Sequence, residues 1–216
     1  MKLWIDNIAW GNPSEAYIET LMKNGAFDNV IPSLKEFPFP SNSCEATQDE
    51  IRELMQFQNS PDQKNTNLVL KYHDYDTNFE EFFKKFCRDT IGENMDELID
   101  NLMEDSKTII MKLKYFYNRP RPFQLAYYYK AKLVPYTSKT DNSPSYPSGH
   151  AFQSHLLSEV IGSKHPMFYQ DLKNLAHDVT LSRMFLGLHF ASDCEFSIIC
   201  VNRLIQDKLF TKEYGI

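Results

Sequence analysis

The sequence predicts an all-α protein, folded as a compact multi-helix bundle. Three observations carry that prediction. Helix-start and helix-stop punctuation recurs along the chain. Alternating apolar and polar runs of the strand type are scarce. No Asn-Gly or Asp-Gly pair sits between β-branched stretches to close a hairpin. Thr47-Gln48-Asp49-Glu50 has the pattern in which a hydroxyl and a carboxylate satisfy a helix's first free amides, so a helix is expected from there to about Gln58. Thr77-Asn78-Phe79-Glu80 repeats the pattern and should start a second helix, running to about Ile91 with Gly92 as its stop. A third, from about Met95 to Tyr117, sets Leu98, Leu102, Ile109, Leu113 and Phe116 near one face, and Pro120 and Pro122 end it. Later helices are expected over Phe123–Lys130, His150–Gly162, Pro166–Phe185 and Ser192–Leu209. The segment Val134–Pro147, rich in Ser, Thr, Asn and Pro, is the expected mobile loop.

At 216 residues, with 42% aliphatic and aromatic and 24% charged positions, the chain can bury a full core without metal or disulfide staples. No repeat or linker divides it, so residues 1–216 are expected to form one helical domain, with a motif-bearing core over about 95–210. A net charge of −6 repels nucleic acid and anionic membrane surfaces and excludes nucleic acid as the expected partner. No apolar run approaches the roughly 20 residues that span a bilayer. Met1-Lys2-Leu3-Trp4-Ile5-Asp6 is too short in apolar residues for a secretory leader, and Cys44, Cys87, Cys194 and Cys200 lack Cys-x-x-Cys spacing. The expectation is a soluble cytoplasmic protein with reduced thiols, of no predicted oligomeric state.

Within this acidic chain lies a basic island. From Ser106 to Thr140 there is no Asp or Glu but eight Lys and Arg, leaving −14 on the remainder. Such a run is either a solvated helix face or an anion site. Interleaved tyrosines would also suit stacking on single-stranded nucleic acid, a reading that the net charge opposes.

Three short patterns bear on that choice. Lys114 falls in the last turn of the third helix and Arg121 just past it. Pro120 and Pro122 favour an extended exit, so Arg121 is expected to fold back toward Lys114, while Lys112 and Arg119 are expected in structural or solvent roles. Pro147-Ser148-Gly149-His150 precedes an apolar-periodic run; Ser148 or a neighbour caps a helix whose free amides suit a phosphate, and Gly149 lets oxygens approach the backbone. The same letters also serve an ordinary cap. In Ser182-Arg183-x5-His189-x3-Asp193 the carboxylate comes within reach of one imidazole nitrogen and leaves the other outward, an arrangement that a buried structural hydrogen bond shares.

Together, Lys-x6-Arg-Pro, Pro-Ser-Gly-His and Ser-Arg-x5-His-x3-Asp resemble, at every fixed letter, the three-part signature of the type 2 phosphatidic acid phosphatase superfamily. That superfamily also holds class A bacterial acid phosphatases and vanadium-dependent haloperoxidases. The motifs span Lys114 to Asp193, 80 of the 216 residues. The resemblance implies a helical bundle. It implies that Lys114, Arg121 and Arg183 grip phosphoryl oxygens, with Ser148 and the Gly149 amide adding hydrogen bonds. It implies that His189 attacks phosphorus to give a phosphohistidine, that Asp193 fixes the tautomer of His189, and that His150 protonates the leaving oxygen and then activates water. No metal is implied, since the cations stand where Mg²⁺ would otherwise neutralise charge. His73, His155, His165 and His177 match no pattern and are read as structural or exposed, with His155 the one placed to border the pocket.

The leading expectation is a metal-independent phosphomonoesterase or pyrophosphatase acting on a small phosphate ester, a nucleotide or a lipid phosphate, with vanadate as an inhibitor. A vanadate-dependent haloperoxidase would use the same residues, with vanadate as its prosthetic group and His189 as its ligand. A binding module for phosphorylated ligands is the non-enzymatic alternative, which intact His150, His189 and Asp193 oppose.

Overall fold

The computed structural model describes residues 4–216; Met1-Lys2-Leu3, and with them part of the expectation about the N-terminus, lie outside the described residues. The helices are α1 (Glu15–Met22), α2 (Ile31–Leu34), α3 (Glu45–Gln58), α4 (Thr66–Phe86), α5 (Asp96–Tyr117), α6 (Pro122–Ala126), α7 (Gly149–Lys164), α8 (Tyr169–Phe185), α9 (Ala191–Leu204) and α10 (Lys208–Tyr214). No strand occurs among the described residues, as the sequence predicts.

The bundle is organised around α7. Phe152, Leu156, Leu157, Val160 and Ile161 are all buried there, and Ser158 returns its hydroxyl to the His155 carbonyl at 2.8 Å. A helix that buries apolar side chains on every side is a central one. It packs against α8 above all, then α9, α5 and α4. The main core draws on residues from Phe27 to Tyr214, with Ile99, Leu102, Ile109 and Leu113 of α5 inside it. No helix among the described residues is long and apolar enough to cross a membrane.

Several local expectations are corrected. Helix α3 begins at Glu45, not Thr47: Cys44 Sγ accepts from the Thr47 amide, and the Thr47 hydroxyl donates to Ser41 O at 2.9 Å, so the box at Thr47–Glu50 never forms. Thr77 starts no helix. Helix α4 begins at Thr66 under an Asn65 cap, and the Thr77-Asn78 punctuation appears as a kink, with Asn78 at φ −142°, ψ 24°. Tyr72 and Tyr75 before the kink and Phe79 and Phe83 after it are all buried, so core packing carries the helix through the weak point. A turn of π-helix then leads to Gly92, whose φ of 84° makes it the stop that the sequence predicts.

Helix α5 fits its predicted span, but Phe116 is 52% exposed and lies beneath the Lys35 ammonium at 4.6 Å instead of facing the core. Helix α6 ends at Ala126, a 3-10 turn over Pro166–Phe168 precedes α8, and the last predicted helix divides where Asp207 caps α10. Helices α1 and α2 had no sequence signal. The Val134–Pro147 segment is irregular, as expected, but its end is held: Ser143, Ser145 and Tyr146 are buried, and the Ser145 amide donates to Arg119 O at 2.9 Å.

Candidate active site

Lys114, Arg121, Gly149, His150 and His189, distant in sequence, line one cavity of about 330 Å³. Each arrives by its own local rule. Lys114 is in the last turn of α5, where Asn118 ends the helix in the left-handed region at φ 50°. Arg121 is the extended residue before α6, which starts on Pro122. Gly149 and His150 open α7 under the Ser148 cap, and His189 lies just before α9.

His189 is 2% exposed, and its proton can be assigned. Nδ1 lies 3.1 Å from Asp193 Oδ2, which can only accept; Nε2 lies 3.1 Å from Arg121 Nη1, which can only donate. Nδ1 therefore carries the hydrogen and Nε2 the lone pair, turned to the cavity side. Burial, then the Arg121 charge, pushes the His189 imidazole well below its ordinary value, so it is neutral. Asp193 is wholly buried and fully bonded: it accepts from Phe190 N at 2.9 Å, from Arg119 Nη1 at 2.6 Å and from the Ser145 hydroxyl. Burial alone would raise its carboxyl; Arg119 and the hydrogen bonds from His189 and Ser145 overcome that and hold it well below the usual carboxylate range.

The cations are each engaged. Lys114 Nζ donates to Pro144 O, and burial together with Arg121 lowers its ammonium well below the usual lysine range. Arg121 also donates to Ser143 O at 2.9 Å and Leu188 O at 3.0 Å; burial and the Arg183 charge lower it to about 10. His150 Nε2 donates to Asp76 O at 3.1 Å, which leaves Nδ1 as the lone-pair nitrogen. Burial, then Arg183, pushes it well below its ordinary value.

Two predicted contacts do not line the cavity. Ser148 is buried as the α7 cap, its Oγ accepting from Ala151 N at 3.4 Å, and its carbonyl binds Ser197 Oγ at 2.9 Å, joining α7 to α9. Arg183 stands one layer back, donating from Nη1 to Asp76 Oδ1 at 2.8 Å and from Nη2 to Thr140 Oγ1 at 3.2 Å, with Nε buried and unpartnered. His155 does not border the pocket either; it is buried with both ring nitrogens unpartnered.

The structure adds residues that the motifs omit. Asp76, just before the α4 kink, holds Arg183 and also accepts from Ser138 Oγ, Lys139 N and Thr140 Oγ1 at 2.7–2.9 Å, tying the long loop to α4. No pattern in the sequence marks it. Arg119 is fully buried between Asp193 and Glu50; its spacing from Lys112 was the only available signal. Lys112 pairs with Asp28, the structural role expected for it.

The basic side chains of Lys114 and Arg121 and the N-terminus of α7 face the cavity together with the imidazoles of His189 and His150, an arrangement that can hold an anion beside a nucleophilic nitrogen. Residues 105–201, the segment that carries all three motifs, match the family model of the PAP2 superfamily. The structure is similar to a bacterial vanadium-dependent iodoperoxidase at 17% identity and a TM-score of 0.66, covering 98% of this chain and 60% of that one. It is also similar to a transmembrane PAP2-type phosphatidylglycerolphosphate phosphatase from Bacillus subtilis at 18% identity and a TM-score of 0.52, covering 92% of this chain and 94% of that one. At such identities the likeness establishes the fold. No curated protein matches the chain in sequence.

Proposed function

We propose that the protein is a soluble, cytoplasmic phosphatase that hydrolyses phosphate esters through a phosphohistidine, without a metal ion. The observation that carries this reading is the His189 geometry: Nδ1–H on Asp193 at 3.1 Å leaves Nε2 as a lone pair among Lys114, Arg121 and His150. A phosphoryl oxygen in the cavity competes for the Arg121 N–H groups and frees that lone pair. His189 Nε2 then forms a bond to phosphorus as the ester P–O bond breaks, and His150 gives a proton to the departing oxygen. His150 is neutral at rest, and the negative charge of a bound phosphate raises its basicity, so with substrate in place Nδ1 takes up from solvent the proton that it then donates. In the second half His150 takes a proton from water, the hydroxide oxygen bonds to phosphorus, the P–N bond breaks, and inorganic phosphate leaves. Arg121 and Lys114 stabilise charge on the equatorial oxygens throughout. Four free thiols accord with a reducing compartment.

The substrate is a small phosphate ester, a nucleotide or a lipid phosphate. The test is release of phosphate from a panel of these with chelator present, together with an acid-labile phosphoenzyme that is lost in His189→Ala. Full activity in that variant would sink the mechanism.

A vanadate-dependent haloperoxidase is the second reading. Vanadate is also a tetrahedral oxyanion, and Lys114, Arg121, the Gly149 amide and His189 Nε2 have the donor set that would hold it. Bound vanadate supplies peroxide activation. Halide oxidation by the vanadate-loaded protein, set against phosphate release, separates the two.

A further inference from the structure

The chain of contacts behind His189 continues well beyond Asp193. Arg119 Nη1 donates to Asp193 Oδ1 at 2.6 Å and to Ser192 Oγ at 2.8 Å, while its Nη2 donates to Glu50 Oε2 at 3.1 Å. Glu50 turns its other oxygen, Oε1, to the Ser192 amide at 2.6 Å, in the first turn of α9. Arg119 has no exposed surface and its guanidinium lies 4.0 Å over the Phe190 ring, so little water screens these charges. Glu50 belongs to α3, outside the 105–201 segment that the family model covers.

We propose that Arg119 and Glu50 are positioning residues that set how readily His189 takes a proton, and so the lowest pH at which its nucleophilic nitrogen is free. The proposal rests on the phosphohistidine reading. Asp193 is an anion shared by two partners. Asp193 divides its charge between Arg119 on Oδ1 and His189 on Oδ2; the more of it Arg119 neutralises, the less it favours an imidazolium. Glu50 acts in the opposite sense, drawing Arg119 back and restoring some of the Asp193 field. The other charged or titratable groups that share the cavity with His189 are Arg121 ahead of α6, Lys114 and Lys107 from α5, His150 from α7, Glu80 from α4 and Tyr17 from α1, with Arg183 of α8 neutralised by Asp76 of α4. All of these stay in place when the relay is altered.

The two relay residues therefore predict shifts of opposite sign. Arg119→Met leaves Asp193 opposed to His189 alone, makes His189 more basic and moves the acid limb of kcat/KM up by about one pH unit. Arg119→Lys restores part of that displacement. Glu50→Gln strengthens the hold of Arg119 and moves the limb down, by about half a unit. The titration of the His189 Cε1–H resonance in the full-length protein reads the same shifts without turnover. Inorganic phosphate binding at a pH above both limbs should stay near wild type, because neither residue lines the cavity. Shifts of the same sign, or an unmoved His189 titration, would overturn the proposal. If Arg119→Met fails to fold, Glu50→Gln and Arg119→Lys decide it alone. Wild-type protein that neither releases phosphate nor forms phosphohistidine would refute the phosphatase reading instead, with the His189 titration still reporting on the relay.

Discussion

Arg121 Nη1 stands 3.1 Å from His189 Nε2, so a fixed guanidinium hydrogen rests on the lone pair that attacks phosphorus in the proposed mechanism. The same side chain donates from Nε to Ser143 O and from Nη1 to Leu188 O, which holds the fork in one plane at the cavity wall. Arg121→Lys keeps the charge and loses the fork. We expect kcat/KM to fall on the order of 10²–10³, as for loss of one preorganised oxyanion donor. Steady-state kinetics on the best ester of the panel check this; a loss below threefold would mean that the fork is dispensable.

Asp193→Asn changes the proton inventory more than the packing. An amide placed at Oδ2 can present N–H to Nδ1, which favours the Nε2–H tautomer and removes the nucleophile's lone pair. Activity should drop by roughly 10³–10⁴, the scale seen when a buried carboxylate that orients a catalytic histidine becomes an amide. The variant also leaves the buried Arg119 short of one anion, which costs about 3–5 kcal/mol of stability. Urea unfolding beside the rate measurement separates the two effects.

Gly149→Ala probes the proposed anion cradle without disturbing the fold. A Cβ there meets only Ile110 Cγ2, at 3.8 Å, and Gly149 sits in the first turn of α7 with ordinary helical backbone. Stability should stay within about 0.5 kcal/mol of wild type or rise. Affinity for inorganic phosphate, measured calorimetrically, should fall, because the methyl group stands where oxygens reach the helix amides. Unchanged phosphate affinity would remove Gly149 from the site.

His155 makes the fold sensitive to acid. Burial, then the Lys173 charge, lowers it from 6.5 to about 4. Between those values the unfolded chain binds a proton that the folded one refuses. Its contribution is thus complete above pH 6.5 and drains away as pH falls toward 4, on the order of 3 kcal/mol in all. His155→Leu removes two unpartnered nitrogens and should be about 1–2 kcal/mol more stable at pH 7, with a flatter profile from pH 6.5 to 4. Denaturant midpoints across that range test it.

Much of the bundle could be read in advance where local chemistry and packing agree. Helix α5 follows its apolar spacing and its proline stop, and α7 follows its Ser148 cap. Reading failed where packing overrode punctuation. Thr47 spends its hydroxyl on Ser41 O, and α4 runs through Thr77 because Tyr72, Tyr75, Phe79 and Phe83 all find the core.

The site divides along a similar line. The order and spacing of Lys114, Arg121, His150, His189 and Asp193 lie in the chain itself, since a helix end, a proline exit and a four-residue step are short-range geometry. Only the tertiary structure could decide that Ser148 and Arg183 stand behind the cavity wall, that Asp76 holds Arg183, and that Glu50 reaches Arg119 across 69 positions. Those are contacts between charges brought together from separate helices, and their pairing depends on which of them the core leaves without water.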